Sequence, residues 1–357
     1  MTTTAPAPDR PNRVTSSFTE LSRTVRESGL LARTTGFYLT LLAVLGVALV
    51  AIVAGVVVLG SSWWQLALAA ALGVVMTQLA FVAHEAAHRQ VFSSNRANDR
   101  LGRVLANAVV GISYSWWTVK HSRHHANPNK VDADPDIAEG VVSFLPEHAA
   151  RARGLKAVVN RYQGWLFFPL LTLEGLNLHV TSLRSTVARV REGSGRGELV
   201  TIALRLVLGV AFVLTVMPIG LGLAFLAVWG AVLGVYMGAS FAPNHIGMEV
   251  VPEGAKLDFL SKQVLTGRNV MGGAWMTAFM GGLNFQIEHH LFPSMARPHL
   301  RKTRLLVREV CAREGIPYTE TSLRRAYAIV LTYLREIGLY SGLATFDCPM
   351  VGQYRRV

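Results

Sequence analysis

Charge is what this chain of 357 residues has least of. Asp, Glu, Lys and Arg make up 16% of it, against roughly 25% in soluble globular domains. The deficit is concentrated: residues 34–83 contain none of the four, and neither do residues 206–248. Runs of that length exclude an ordinary soluble core, whose helices interrupt their apolar face with solvated residues every turn or two. Cysteine is scarce as well. Cys311 and Cys348 are the whole complement, which excludes a disulfide framework and a paired-thiolate metal motif. Acidic residues number 22 against 35 basic ones, for a net charge of +13.

The apolar runs are long enough to be informative. A bilayer core takes about 20 apolar residues per helix, so each uncharged block is about two spans long and reads as a helical hairpin. Gly60-Ser61-Ser62 divides the first block and Met217-Pro218-Ile219-Gly220 the second, both natural helix breakers. Spans are expected near 37–60, 63–83, 199–216 and 221–242. Both hairpin turns are short and uncharged. Every Lys and Arg lies in the N-terminal arm, in 84–205 or in the C-terminal third, so the positive-inside rule puts both termini in the cytosol; the plasma membrane is the expected location. A polar arm of 33 residues precedes the first run, which is too long for a secretion leader.

The expected organisation is an N-terminal arm (1–33), a membrane domain (34–305) and a C-terminal helical region (306–357). Residues 1–15 read as disordered, and Ser17-Phe18-Thr19-Glu20 has the capping-box pattern of a short helix. Leu101–Trp117, 157–180 and 270–283 are apolar but interrupted, and read as interfacial elements. Residues 299–340 read as amphipathic helix. The fold class is therefore all-α integral membrane: four transmembrane helices in two hairpins, with a cytosolic helical cap.

Histidine carries the chemistry. Eight of the 11 histidines fall in tight groups. His84 and His88, in HEAAH, share one helical face at the cytosolic end of the second span. His121, His124 and His125 have the same i, i+3, i+4 geometry, and so do Gln286, His289 and His290, with Gln in the first place. His245 follows Asn244 just past the fourth span. One such pair arises easily by chance, and His148 and His299 read as ordinary solvated residues. Three groups on one side of a membrane point to metal, and eight imidazoles suffice for two ions. Imidazole suits iron, zinc and copper alike. An apolar substrate reaching a dimetal site from the lipid favours oxidation. HEAAH is also the H-E-x-x-H zinc-peptidase pattern, with Glu85 as base. A peptidase leaves His121–His125 and His289-His290 without a role.

With these groups in this order, the chain resembles the membrane fatty acid desaturases. Their histidine boxes match His84–His88, His121–His125 and Gln286–His290. The resemblance extends to His124-His125-Ala126-Asn127-Pro128-Asn129, Asp134-Pro135-Asp136, Asn244-His245 and the run QIEHHLFP. It covers residues 35–305 and is nearest the front-end and acyl-lipid branch, which opens its third box with Gln. The resemblance implies that His84, His88, His121, His124, His125, His245, His289 and His290 bind two iron ions, with His179 a further candidate. Gln286, Asn244, Glu85, Glu288, Asp134 and Asp136 are candidates to support those ligands. O2 is the implied co-substrate, an acyl-CoA or acyl-lipid the substrate, and a cis double bond the product. A hydroxylase or ketolase on the same scaffold stays open. Many front-end relatives carry a fused cytochrome b5 with a His-Pro-Gly-Gly motif. None is present here, so electrons are expected from a separate ferredoxin or flavin reductase. Its docking place is expected on the basic face, alongside membrane lipids. No nucleic-acid partner is expected.

Overall fold

The structure, a computed structural model, describes residues 10–340. Its helices run, in chain order, α1 (Arg10–Glu27), α2 (Thr35–Leu59), α3 (Gln65–Ala87), α4 (Asn95–Arg103), a π-helix (Val104–Val110), α5 (Tyr114–Ala126), α6 (Pro146–Arg151), α7 (Gly154–Leu171) and α8 (Glu174–Arg191). They continue with α9 (Arg196–Val216), α10 (Ile219–His245), α11 (Phe259–Leu265), α12 (Ala274–Phe279), α13 (Gln286–Leu291), α14 (Arg297–Glu314) and α15 (Leu323–Tyr340). Strands β1 (Asn269–Met271) and β2 (Glu320–Ser322) form one short parallel ladder. The chain divides into two compact units. One, the membrane unit, holds residues 33–122 and 162–242; the rest forms the helical unit.

Among the described residues α2, α3, α9 and α10 are each long and apolar enough to cross a bilayer, at the four expected places, and α7 with α8 pass the same test together as one bent pair. Their outward side chains have no protein to bury against: Val58 is 84% exposed and Val47 71%. Such surface suits lipid and not water. The hairpin α2–α3 closes on Gln65, whose amide donates to the carbonyls of Val56 (2.7 Å) and Gly60 (2.9 Å), groups that the end of α2 leaves open. Val56, Ala69, Val213, Leu221 and Phe225 bring all four helices into one core cluster. Small residues set the closest approaches. A Cβ on Gly175 would lie 2.3 Å from the Gly230 carbonyl, and one on Gly234 2.4 Å from the Gly175 nitrogen, so α8 and α10 meet backbone to backbone, as helices do in membranes.

The helical unit has a core of its own. Val14, Leu21 and Val25 of α1 pack with Val264, Ile287, Leu291, Met295, Val307 and Cys311. The N-terminal arm thus contributes to the packing around α13 and α14. Several local expectations change. Residues 10–15 are helical; residues 1–9 and Cys348 lie outside the described residues. Ser17–Glu20 sits inside α1 and caps nothing; instead Ser17 Oγ donates to Glu314 (2.8 Å), which also pairs with Arg13. The stretch 101–117 is not one helix. It ends α4, forms the π-helix, turns at Gly111 (φ +92°) and restarts as α5. Residues 157–180 are likewise split, α7 and α8 meeting at 83° just after Pro169. Residues 270–283 form β1, α12 and a 3₁₀ turn, and 299–340 two helices separated by β2.

Candidate metal centre

Helix α5 bears the second histidine group, and its start is fixed in the membrane unit. Ser113 Oγ accepts from the Trp116 amide (3.1 Å), and the Glu198 carboxylate accepts from Ser113 Oγ (2.8 Å) and the Ser115 amide (3.0 Å). A hydroxyl and a carboxylate at a helix N-terminus satisfy its open N–H groups and favour its dipole. Two turns on, His121 meets the pair at the end of α3. Its Nε2 lies 3.0 Å from Nε2 of His84 and 3.0 Å from Nε2 of His88. Trp117 stacks on the His121 ring at 4.4 Å and 21°. Nitrogens bound to one ion at about 2.1 Å lie about 3 Å from their neighbours, so the trio has the spacing of a ligand set. Burial holds the His88 ring down to about 3, leaving it neutral, the form in which imidazole ligates.

The helical unit assembles a second trio from distant segments. His124, His245 and His290 each bring a ring nitrogen to within 4.8 Å of the others, and each ring is held from outside. His124 Nδ1 lies 3.0 Å from both oxygens of buried Asp134. That carboxylate also accepts from the amides of Asn129 (2.7 Å) and Asp136 (2.9 Å), and Asp136 itself lies 3.4 Å from His124 Nδ1. His245 Nδ1 lies 2.9 Å from the Thr266 carbonyl, which can only accept, so the proton is on Nδ1. His290 Nδ1 lies 2.9 Å from Gln263 Oε1. With Nδ1 turned outward, Nε2 is the nitrogen left to meet a cation, which at His245 would have to displace the Gln286 amide. His290 Nε2 is buried with no hydrogen-bond partner, a cost of about 1–3 kcal/mol for a polar group that a bound metal ion removes. Burial, then the neighbouring imidazoles, holds His290 well below the usual range. The donor set therefore fits a metal ion. In the same unit His125 and His289 bring a ring nitrogen each to within 4.8 Å of one another, and His125 stacks on His290 at 4.1 Å and 13°.

Other expected residues fall into place differently. Gln286 Nε2 donates to His245 Nε2 (2.9 Å), and Asn244 Nδ2 donates to Gln286 Oε1 (3.1 Å). Glu85 is buried and accepts from the Tyr38 hydroxyl at 3.1 Å. Glu288 bonds no imidazole. It accepts from Asn269 Nδ2 (2.7 Å) and the Tyr318 hydroxyl (2.7 Å), and burial pushes its carboxyl up to about 7. His179 belongs to neither trio. Its nitrogens face the carbonyls of Gly175 (2.6 Å) and Val110 (3.1 Å), because the second turn of α8 abuts the end of the π-helix, where a Cβ on Gly111 would lie 3.3 Å from His179 Nε2.

Several supports carry no signature in the sequence. Arg268 is 1% exposed, and clamps the end of α10 by donating to the carbonyls of Pro243 (2.8 Å) and Ile246 (2.7 Å). Pro243 stands inside α10, where a helix cannot close its own ladder. The side chain of Asn129, at φ +51°, donates to the His245 carbonyl (3.0 Å). Gln263, Thr266, Arg268 and Asn269 thus form one short stretch that touches three of the histidine segments. Only its burial sets this polar stretch apart, and that is not visible before folding.

The family model "Fatty acid desaturase" matches residues 61–322. The chain is 28% identical over 325 residues to a Delta(8)-fatty-acid desaturase of Helianthus annuus, covering 84% of this chain and 68% of that one. It is 32% identical over 280 residues to an acyl-lipid (9-3)-desaturase of Physcomitrium patens, covering 76% of this chain and 53% of that one. A Delta(8)-fatty-acid desaturase 2 of Arabidopsis thaliana is 28% identical over 357 residues, with 93% of this chain and 77% of that one aligned. The chain thus spans only part of the length of these relatives.

Proposed function

The chain belongs to the fatty acid desaturase family, a family of membrane oxidoreductases, and from that premise we propose that it introduces a cis double bond into a fatty acyl chain. The reading assigns two iron ions to His84, His88, His121, His124, His125, His245, His289 and His290. Iron bound there would supply the capacity to reduce O2 with two electrons from a separate donor and two protons from solvent, while two hydrogens leave adjacent methylenes and two waters form. The protein's own part is positioning. Burial disfavours the charged form of His88 and His290, and the outer nitrogens of His124, His245 and His290 are tied to Asp134, Thr266 and Gln263. Burial keeps water from rings that a charged form would otherwise solvate. His179 is read as structural, pinning the turn at Gly111. Glu85 is read as bracing the first box through Tyr38, not as a peptidase base.

The single observation that carries the metal reading is the outward-turned Nδ1 of His124, His245 and His290, with His290 Nε2 buried and unpartnered. The substrate class, an acyl-lipid or acyl-CoA, rests on the names of the relatives. The plasma membrane, cytosolic termini and a ferredoxin or flavin reductase on the basic surface complete the proposal. The test is the fatty acid profile of a host expressing the chain with a compatible donor. A new species two mass units below its parent is expected, together with two irons per chain. A hydroxylated product overturns the desaturase assignment in favour of oxygen insertion; one zinc per chain overturns the di-iron assignment.

A further inference from the structure

Helix α11 has seven residues and no histidine, yet its Gln263 touches two of the histidine groups. The side chain is 1% exposed. Its Nε2 donates to the backbone carbonyl of His125 at 3.0 Å, and its Oε1 lies 2.9 Å from Nδ1 of His290. The two rings so connected stack at 4.1 Å. The neighbouring Lys262 Nζ donates to the carbonyl of Ala126 at 2.7 Å. Ala126 is the last residue of α5. Two consecutive side chains of α11 therefore satisfy carbonyls that the end of α5 leaves open.

The amide can be oriented in one way only. A backbone carbonyl accepts and never donates, so the NH2 end of Gln263 must face His125. Its oxygen is then forced towards His290, and an amide oxygen also only accepts. His290 must carry its proton on Nδ1, and Nε2 keeps its lone pair. Flipping the amide sets oxygen against oxygen at His125 and moves the His290 proton to Nε2, the buried nitrogen that has no hydrogen-bond partner. We propose that Gln263 is a positioning residue that locks the His290 tautomer, using the end of the second-box helix as its reference. The proposal rests on the metal-binding reading of His290. It names a residue outside every histidine box, and couples the second box to the third through one amide. Asp134 and the Thr266 carbonyl fix the other two rings of the trio with groups that cannot be reversed. Gln263 is the reversible one, so its own anchor at His125 matters.

The test compares Gln263→Leu, Gln263→Glu and Lys262→Met in detergent-purified full-length protein. Iron per chain and, on metal-free protein labelled with ¹⁵N-histidine, the tautomer of the resonance lost in His290→Gln are both read. Wild type should show the proton on Nδ1. Gln263→Leu should show mixed tautomers and a 10–100-fold weaker hold on iron, the size usual for losing a group that orients a ligand. Gln263→Glu keeps an acceptor for Nδ1 and should restore the tautomer and most of the iron. Lys262→Met removes the other cap on α5 and should leave both unchanged. A wild-type proton on Nε2 overturns the lock, as does Gln263→Glu behaving like Gln263→Leu, or Lys262→Met losing as much iron as Gln263→Leu. A wild-type Nδ1 proton in a chain that takes up no iron sinks the metal reading while the lock stands.

Discussion

The two histidine trios are built on different plans. In the membrane unit His84, His88 and His121 come from the end of one span and one neighbouring helix, and a tryptophan stack braces His121. In the helical unit His124, His245 and His290 come from three helices far apart in sequence, and each ring is tied by a hydrogen bond to a different element. The first trio is positioned by helix periodicity; the second is positioned by its surroundings. A ligand set built by periodicity needs few outside contacts, because residues four apart already share a face. One gathered from separate segments must recover the lost ordering entropy from bonds that fix each ring.

Removing a ligand should not distinguish the plans. His84→Ala and His290→Ala are each expected to abolish product formation and to leave less than the full two irons per chain. Retained activity in either variant breaks the ligand assignment. Removing a support should separate them. Asp134→Ala is expected to weaken iron binding about 10–100-fold, measured by competition with a chelator. Trp117→Leu forfeits an aromatic contact worth about 0.5–1.5 kcal/mol, so the expected loss in the membrane unit is about tenfold at most. Equal losses in these two variants would erase the contrast. Tyr38→Phe removes one hydrogen bond to Glu85, worth about 1 kcal/mol, and should lower the melting temperature by a few degrees with iron content intact. His299→Ala should change neither iron nor activity. Its ring joins no potential ligand group among the described residues, so any loss of iron there would mean that the ligand set is larger than eight.

The same contrast explains what the sequence disclosed. Spans could be placed from it because a bilayer imposes a length and an absence of charge that survive without any tertiary information. The box histidines were legible because each group repeats a helical period. Arg268, Gln263 and Asn269 were not, since a polar residue amid apolar ones reads as a surface position until its burial is known. Their partners are carbonyls and side chains up to 138 residues away. Ser17–Glu20 misled for the opposite reason: a local capping pattern was overridden when α1 extended and Ser17 found Glu314, 297 positions along the chain. His179 resembled a ligand because an apolar helix must pair its imidazole, and two backbone carbonyls proved to be the partners.

The contact between α1 and Glu314 also has a bearing on how the protein is made. Ser17 and Glu314 are separated by 297 positions, and chains are synthesised at roughly 5–20 residues per second, so α1 waits about 15–60 s for its partner. During that interval Val14, Leu21 and Val25 have no core to enter. The packing beneath the third histidine group closes only once α14 has been made, well after α2 and α3 have left the ribosome. The assembly clock of the helical unit is therefore set by the distance along the chain between α1 and α14.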